Sequence, residues 1–498
     1  MDPIVAKRKY INTLCMIYIE AVNRVLDNPS VKIDFAVSNG IYTEILGLDH
    51  VGEDLLLRIK EEMDQIIDAN HKIHKAVVPK NEAIEIFRSQ GFDDKVKLLL
   101  NSSVIELPLY TIDSLRYNFV GGVTVYTGEI QSFGLYSFHN GLVLVHPNGD
   151  AGNGKSKDPC KKDELAYVNQ EKLFEVFRES EEWGDLMKIN TAGDLNKFAK
   201  DGGLDDIVLI SEALHEKKIA YIADEIYSQK NVRVILIAGP SSSGKTTFAK
   251  RLGIQLRVMG KEYVSIGLDD YFIDRDKMQL DEKGEKNFDA LSAIDLDLFA
   301  KDIKKVIAGE EVALPTFNFI TGLREYTRPP LRVSEDTYII VEGIHALNEQ
   351  LTSLIDPDTK FRIYISALTQ LNVDNHNRIP TTDLRLIRRI VRDKATRGHQ
   401  PEATMAMWAN VVDGESRNIF PYQENADVMF NSSLIYELSV LRRFAVPVLM
   451  EVSEDSAFFG EAKRLLRFLA FFEDCTCESY IPNSSILKEF IGGSCFTY

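Results

Sequence analysis

Residues 232–256 read VRVILIAGPSSSGKTTFAKRLGIQL, and no other stretch limits the fold as tightly. A continuous apolar run predicts a strand buried on both faces, as in a parallel sheet. Gly239–Thr246 fits G-x-x-x-x-G-K-[ST], and an amphipathic helix starting near Lys245 follows directly. Strand, glycine loop and helix N-terminus together form a phosphate cradle of inward backbone N–H groups. Gly239, Ser241, Ser242, Ser243, Gly244 and Thr247 belong to this cradle. Lys245 is expected on the β- and γ-phosphates, and the Thr246 hydroxyl on Mg²⁺. The same pattern recurs as GDAGNGKS at 149–156. There KDPCKKDE comes next, with Pro159 where a helix would have to establish itself. Residues 148–164 therefore read as a linker, and Lys155 as a chance match.

Downstream, short apolar runs alternate with helical patterns: EYVSIGLD, TYIIVEG and FRIYIS read as further buried strands of an α/β domain with a parallel sheet. Asp269 and Asp270 fall where the EYVSIGLD strand ends, and Glu342 at the end of the next. A carboxylate in these places ligates Mg²⁺ or takes the proton of an attacking hydroxyl. Arg385, Arg388, Arg389 and Arg392 recur at i, i+3, i+4 and i+7 and so share one helical face, with Arg397 following. Few acids offset them in sequence, which favours a lid over triphosphate that stabilises transition-state charge. No NKxD guanine-selecting motif occurs. Phosphoryl transfer from ATP to a hydroxyl is the expected chemistry.

A formal net charge of −17 repels polyanions, so nucleic acid is an unlikely partner and a small molecule the expected one. Five scattered cysteines, with only Cys475 and Cys477 close, read as reduced thiols in a cytoplasmic protein. No signal peptide or membrane span is expected, and a homo-oligomer stays open. Four regions are anticipated: an α+β domain at 1–147, a linker and helical region at 148–228, the P-loop domain at 229–445 and a helical extension at 446–498. Within the first, LLLRIKEEMDQIIDANHKIH and NEAIEIFRSQG predict helices, and GLYSFHNGLVLVHP a hairpin.

The motifs GPSSSGKTT, LDDYF, NFDALSAID, LPTFNF, VEGIH and RLIRRIVRDKATRG occur in that order. In this the chain resembles the uridine kinase branch of the uridine kinase/phosphoribulokinase family. The resemblance implies Asp269 as general base on a nucleoside 5′-hydroxyl, with Thr246 and Glu342 around Mg²⁺. It implies Asp289 on the ribose hydroxyls with Phe288 beside it; Phe288, Phe317 and Phe319 offer rings that stack on any base. Arg388, Arg389, Arg392 and Arg397 would serve the phosphates and the lid, with Arg392 and Lys245 taking part in catalysis. Where pyrimidine kinases carry a Tyr and a His, this chain has Phe317 and Gly322. His399 and Met407 replace two further polar positions. That departure implies loose or shifted base selection. Two other readings stay open: a kinase of another small alcohol such as a sugar phosphate, or an RNA-binding regulator that senses ATP.

Residues 1–145 resemble the second additional, editing-type domain of threonyl-tRNA synthetase through DFAVSNGIYTEI, VVPKNEAIEIF and LPLYTIDSLRYNFVGGVTVYTG. The H-x-x-x-H and the Cys-and-His motif of that domain are absent, which implies no hydrolytic metal site.

Overall fold

The computed structural model describes residues 3–147, 165, 167–278, 290–475 and 477–497, apart from positions 28, 38, 114, 320 and 354. Lys155, Asp289 and Phe288 lie outside the described residues. The chain forms two compact units, each assembled from three stretches. One comprises Met1–Leu204, Thr369–Asp383 and Leu438–Thr476; the other comprises Asp205–Leu368, Leu384–Glu437 and Cys477–Tyr498.

In the first unit, α1 (Pro3–Val25) is followed by β1 (Ser30–Val37), β2 (Gly40–Leu46), α2 (Glu53–Asp68), β3 (His74–Pro79), α3 (Lys80–Ser89) and α4 (Asp93–Leu100). Then come β4 (Glu106–Thr111), β5 (Arg116–Tyr117), β6 (Gly134–Phe138), β7 (Gly141–Val145), α5 (Glu171–Met187) and α6 (Ala192–Lys200). Two antiparallel sheets result, ordered β1-β2-β7-β6 and β3-β4-β5. The expected hairpin is β6–β7, turning at His139 with φ 49°. Helix α2 stops short of the predicted length. It ends at Asp68, Asn70 turns left-handed at φ 49°, and His74 already opens β3. Leu14, Met16, Ile17, Tyr18 and Ile19 of α1 form the core with Ile33, Ile41, Met63 and Leu144. Buried ion pairs join the unit's separate stretches: Lys95 to Asp374 at 2.6 Å, and Arg464 to Asp383 through two hydrogen bonds of 2.7 and 2.9 Å.

The second unit holds nearly all of α7 (Leu204–Ser228), then β8 (Val234–Ala238), α8 (Lys245–Val258), β9 (Tyr263–Gly267), α9 (Leu296–Ile307), β10 (Thr316–Asn318) and β11 (Leu323–Glu325). Beyond them lie β12 (Tyr338–Glu342), α10 (Glu349–Thr352), β13 (Lys360–Ser366), most of α11 (Thr381–Arg392), α12 (Pro401–Asn418) and β14 (Val428–Asn431). Helices α13 (Glu437–Met450), beyond Glu437, and α14 (Phe459–Leu469) belong to the first unit, and the short α15 (Lys488–Ile491) to the second. Five parallel strands run in the order β14-β13-β8-β12-β9. Strand β8 is buried throughout. Val234, Leu236 and Ala238 enter one core, and Ile235 and Ile237 the other, because side chains alternate across a sheet with both faces covered. Each buried Val, Leu or Ile of the strand contributes roughly 1.5–3 kcal/mol of burial free energy. Strand β14 has only four residues, two of them half-buried, and no long apolar run announces it.

Cys475 and Cys477 are disulfide-bonded, where thiols are expected from the sequence; one intervening residue leaves their sulfurs near enough to join. Cys15 and Cys495 are free. Among the described residues no helix is long and apolar enough to cross a membrane.

Candidate active site

Three adjacent strands deliver the site. The P-loop leaves β8, Glu342 closes β12, and Asp269 follows β9 in a short 3-10 turn. Register places Glu342 between Ile237 and Gly267, so the expected groups converge at the carboxyl edge of the sheet, where parallel α/β folds bind ligands. In the loop, Ser242 has φ 59° and Gly244 φ 83°. A Cβ on Gly239 would stand 2.1 Å from the Ile365 carbonyl oxygen, so only glycine lets the strand and loop close there. The hydroxyl oxygens of Ser242 and Ser243 are buried with no hydrogen-bond partner among the described residues. Lys245 donates to the Pro240 carbonyl at 3.1 Å, and Thr246 donates to Glu342 at 3.1 Å.

Burial lowers the Lys245 ammonium below the ordinary lysine value, against the pull of Glu342 and Asp269. Burial pushes the Glu342 carboxyl up to about 7; Lys245 opposes this and Asp269 adds to it. Asp269 is raised as well, first by the surrounding protein, with Lys245 and Arg397 opposing and Asp270 reinforcing. Asp269 is exposed to solvent, yet dense protein behind it removes much of its solvation. The two neighbouring aspartates differ in commitment. Asp270 accepts from the Phe317 backbone N–H at 3.2 Å and pairs with Arg328 at 3.2 Å, whereas the Asp269 carboxylate makes no hydrogen bond or ion pair among the described residues.

The arginines of α11 divide by depth. Arg385 grips Glu415 at 2.5 and 2.8 Å and donates to the Ser241 carbonyl at 3.1 Å. Arg388 holds Glu437 at 2.8 Å and the Ser242 carbonyl at 3.3 Å. Both are fully buried, so they brace the loop from within. Arg389, Arg392 and Arg397 all reach the buried Asp393, at 3.3, 3.1 and 3.5 Å. Three cations on one carboxylate leave surplus positive charge beside the loop, and Arg389 also donates to the Ser241 hydroxyl at 3.2 Å. Replacing Arg388 with methionine strands Glu437 without a counter-ion. Denaturant titration is expected to show a loss of roughly 3–5 kcal/mol, largely restored by adding Glu437→Leu.

Beside Asp270, the β10–β11 hairpin presents Phe317 and Phe319, ring centroids 5.2 Å apart, with Phe272 edge-on to Phe317 at 5.5 Å. Phe319 is 57% exposed, a large apolar ring open to solvent. Gly322, at φ 73°, lies against Arg275, whose side chain would meet an added Cβ at 2.8 Å. Glu415, Arg328 and Phe272 were not anticipated as site residues. Phe272 stands within the LDDYF motif, but nothing local to Glu415 or Arg328 announces their partners.

A P-loop bounded by carboxylates at strand ends and braced by arginines is the architecture of a nucleotide-using kinase. Residues 234–437 match the model of the Phosphoribulokinase / Uridine kinase family. A uridine kinase of Staphylococcus haemolyticus is 30% identical over 201 residues, 40% of this chain and 87% of the relative. One from Chloroflexus aggregans is 34% identical over 204 residues, 41% of this chain and 88% of the relative. A possible uridine kinase from Bacillus stearothermophilus, of known structure, superposes with TM-score 0.31 at 20% identity, covering 43% of this chain and 98% of that one. The chain belongs to the phosphoribulokinase/uridine kinase family, and its second unit is a kinase of that family.

Proposed function

We propose that this kinase transfers the γ-phosphate of ATP to the 5′-hydroxyl of a nucleoside-like acceptor. The observation that carries the reading is the meeting of Lys245, Thr246, Glu342 and an uncommitted Asp269 beside an exposed aromatic hairpin. Asp269, raised but accessible, takes the acceptor proton, since a general base works best with its pKa drawn toward operating pH. Lys245 and the loop N–H groups hold the donor phosphates. Arg389, Arg392 and Arg397 supply charge to the transferring group, and Arg388 keeps the loop in shape. The Thr246 hydroxyl and Glu342 carboxylate are hard oxygen donors of the kind Mg²⁺ takes, and a cation would relieve the strain of Glu342's burial. When bound, Mg²⁺ neutralises charge on the donor phosphates.

Phe317 and Phe319 offer stacking surface that tolerates any base. Asp289 and Phe288 keep the ribose role implied by family resemblance. Uridine kinase relatives support a nucleoside acceptor, while Phe317 and Gly322 offer no side-chain hydrogen bond to a base edge. With uridine, cytidine, adenosine, guanosine and inosine each supplied with ATP and Mg²⁺, at least one 5′-monophosphate is expected. Uridine should not lead by the roughly 10⁴-fold that a hydrogen-bonding site can reach. Strict pyrimidine selectivity would locate base reading in other residues. Arg275, Arg324 and Arg328 crowd the acceptor side, bonded to the Phe319 carbonyl, Asp295 and Asp270. They favour a second reading, an anionic alcohol such as a sugar phosphate, which failure of all five nucleosides would select. The N-terminal unit we read as a synthetase-like domain without hydrolytic chemistry.

A further inference from the structure

Residues 485–497, in the last stretch of the second unit, return to the phosphate loop. Ile486 lies so close to Gly244 that an added Cβ would meet it at 2.5 Å. Phe490 sits beneath the Arg388 guanidinium at 4.9 Å, and Lys250 of α8 donates to the Thr497 carbonyl at 2.6 Å. Ser485 donates to the buried Glu212 at 2.5 Å. These contacts aim Glu489 at the first turn of α8, where it accepts a 2.5 Å hydrogen bond from the Thr247 hydroxyl.

That turn is the positive end of a fourteen-residue helix, the place where a P-loop attracts phosphate. Lys245 serves the β- and γ-phosphates and Thr246 the metal, and Thr247, next along the same first turn, is wholly buried. Glu489 bears electrostatically on both Lys245 and Glu342. The loop's other carboxylate, Glu415, accepts from the Ser241 N–H at 2.9 Å but is neutralised by Arg385. Glu489 has no cation at ion-pair distance among the described residues. A carboxylate with no ion-pair partner among the described residues therefore stands at the turn that a phosphate would approach.

We propose that Glu489 is a built-in competitor of the donor's phosphates, and that the 485–491 stretch must draw it away from Thr247 for nucleotide to bind fully. The proposal rests on the P-loop being the donor site. Like charges a few ångströms apart in a partly screened cleft repel strongly enough to weaken binding about tenfold.

The test uses the full-length protein as wild type, E489Q and K245A, titrated with adenosine, AMP, ADP and ATP. E489Q is expected to bind AMP, ADP and ATP about tenfold more tightly and adenosine unchanged. Hydrogen exchange over 485–491 in the wild type is expected to speed up on saturation with ATP. Equal or weaker binding of phosphorylated nucleotides by E489Q would overturn the proposal and leave Glu489 as a helix-capping group. Slower exchange with ATP bound would also overturn it, and this measurement decides alone if E489Q proves unstable. If K245A loses ATP while E489Q gains nothing, the competitor falls and the P-loop reading stands. If K245A binds ATP as the wild type does, both fall.

Discussion

Lys245→Ala is expected to abolish phosphoryl transfer, by at least about 10³-fold, while Lys155→Ala leaves it nearly unchanged. The two lysines occupy the same slot in matching sequence patterns, and only context separates them. Lys245 begins α8 directly after a buried strand and lies in the field of Glu342 and Asp269. Lys155 lies outside the described residues, and Pro159 stands where its helix would run. Initial rates of ADP formation with the best acceptor measure both variants. Comparable losses would mean that residues 148–164 bind nucleotide, contrary to their linker composition.

Asp269→Asn should lower kcat by on the order of 10²–10⁴-fold with ATP binding retained, as for loss of a general base. Asp270→Asn should instead raise the acceptor KM, because Asp270 anchors the Phe317 backbone and Arg328 rather than standing free. A fully active Asp269 variant beside a dead Asp270 variant would transfer the base to Asp270. The pH profile carries a sign. Burial raises Asp269 above the usual carboxylate value, and the base acts only when ionised. The kcat/KM of the wild type should therefore fall as pH drops through that raised value. The acid limb should sit above the range of an exposed aspartate, and Asp269→Asn should abolish it.

Part of this site could be read without coordinates because its signals are local. The glycine loop, the strand before it and the helix after it are contiguous, and their hydrogen bonding and dipole close within about twenty-five residues. Asp269 and Glu342 were accessible for a related reason: a buried strand's carboxyl end is visible where its apolar run stops. The spacing of Arg385, Arg388, Arg389 and Arg392 likewise follows from helical geometry.

What could not be read was the outcome of distant choices of partner. Sequence spacing placed four arginines on one face, but nothing local told that Arg385 and Arg388 find Glu415 and Glu437 and sink, while Arg389 and Arg392 stay near the surface on Asp393. Asp269 and Asp270 are neighbours of the same residue type, and their difference arises from a hairpin forty-seven positions away. The C-terminal stretch reads as a tail, yet Glu489 reaches Thr247 across 242 positions. Local backbone preference and hydrophobic period are properties of a short window, so strand, loop and helix were legible in the residues alone. Charge pairing and desolvation depend on which windows meet. The depth of each arginine, the freedom of Asp269 and the seat of Glu489 exist only once the chain has folded.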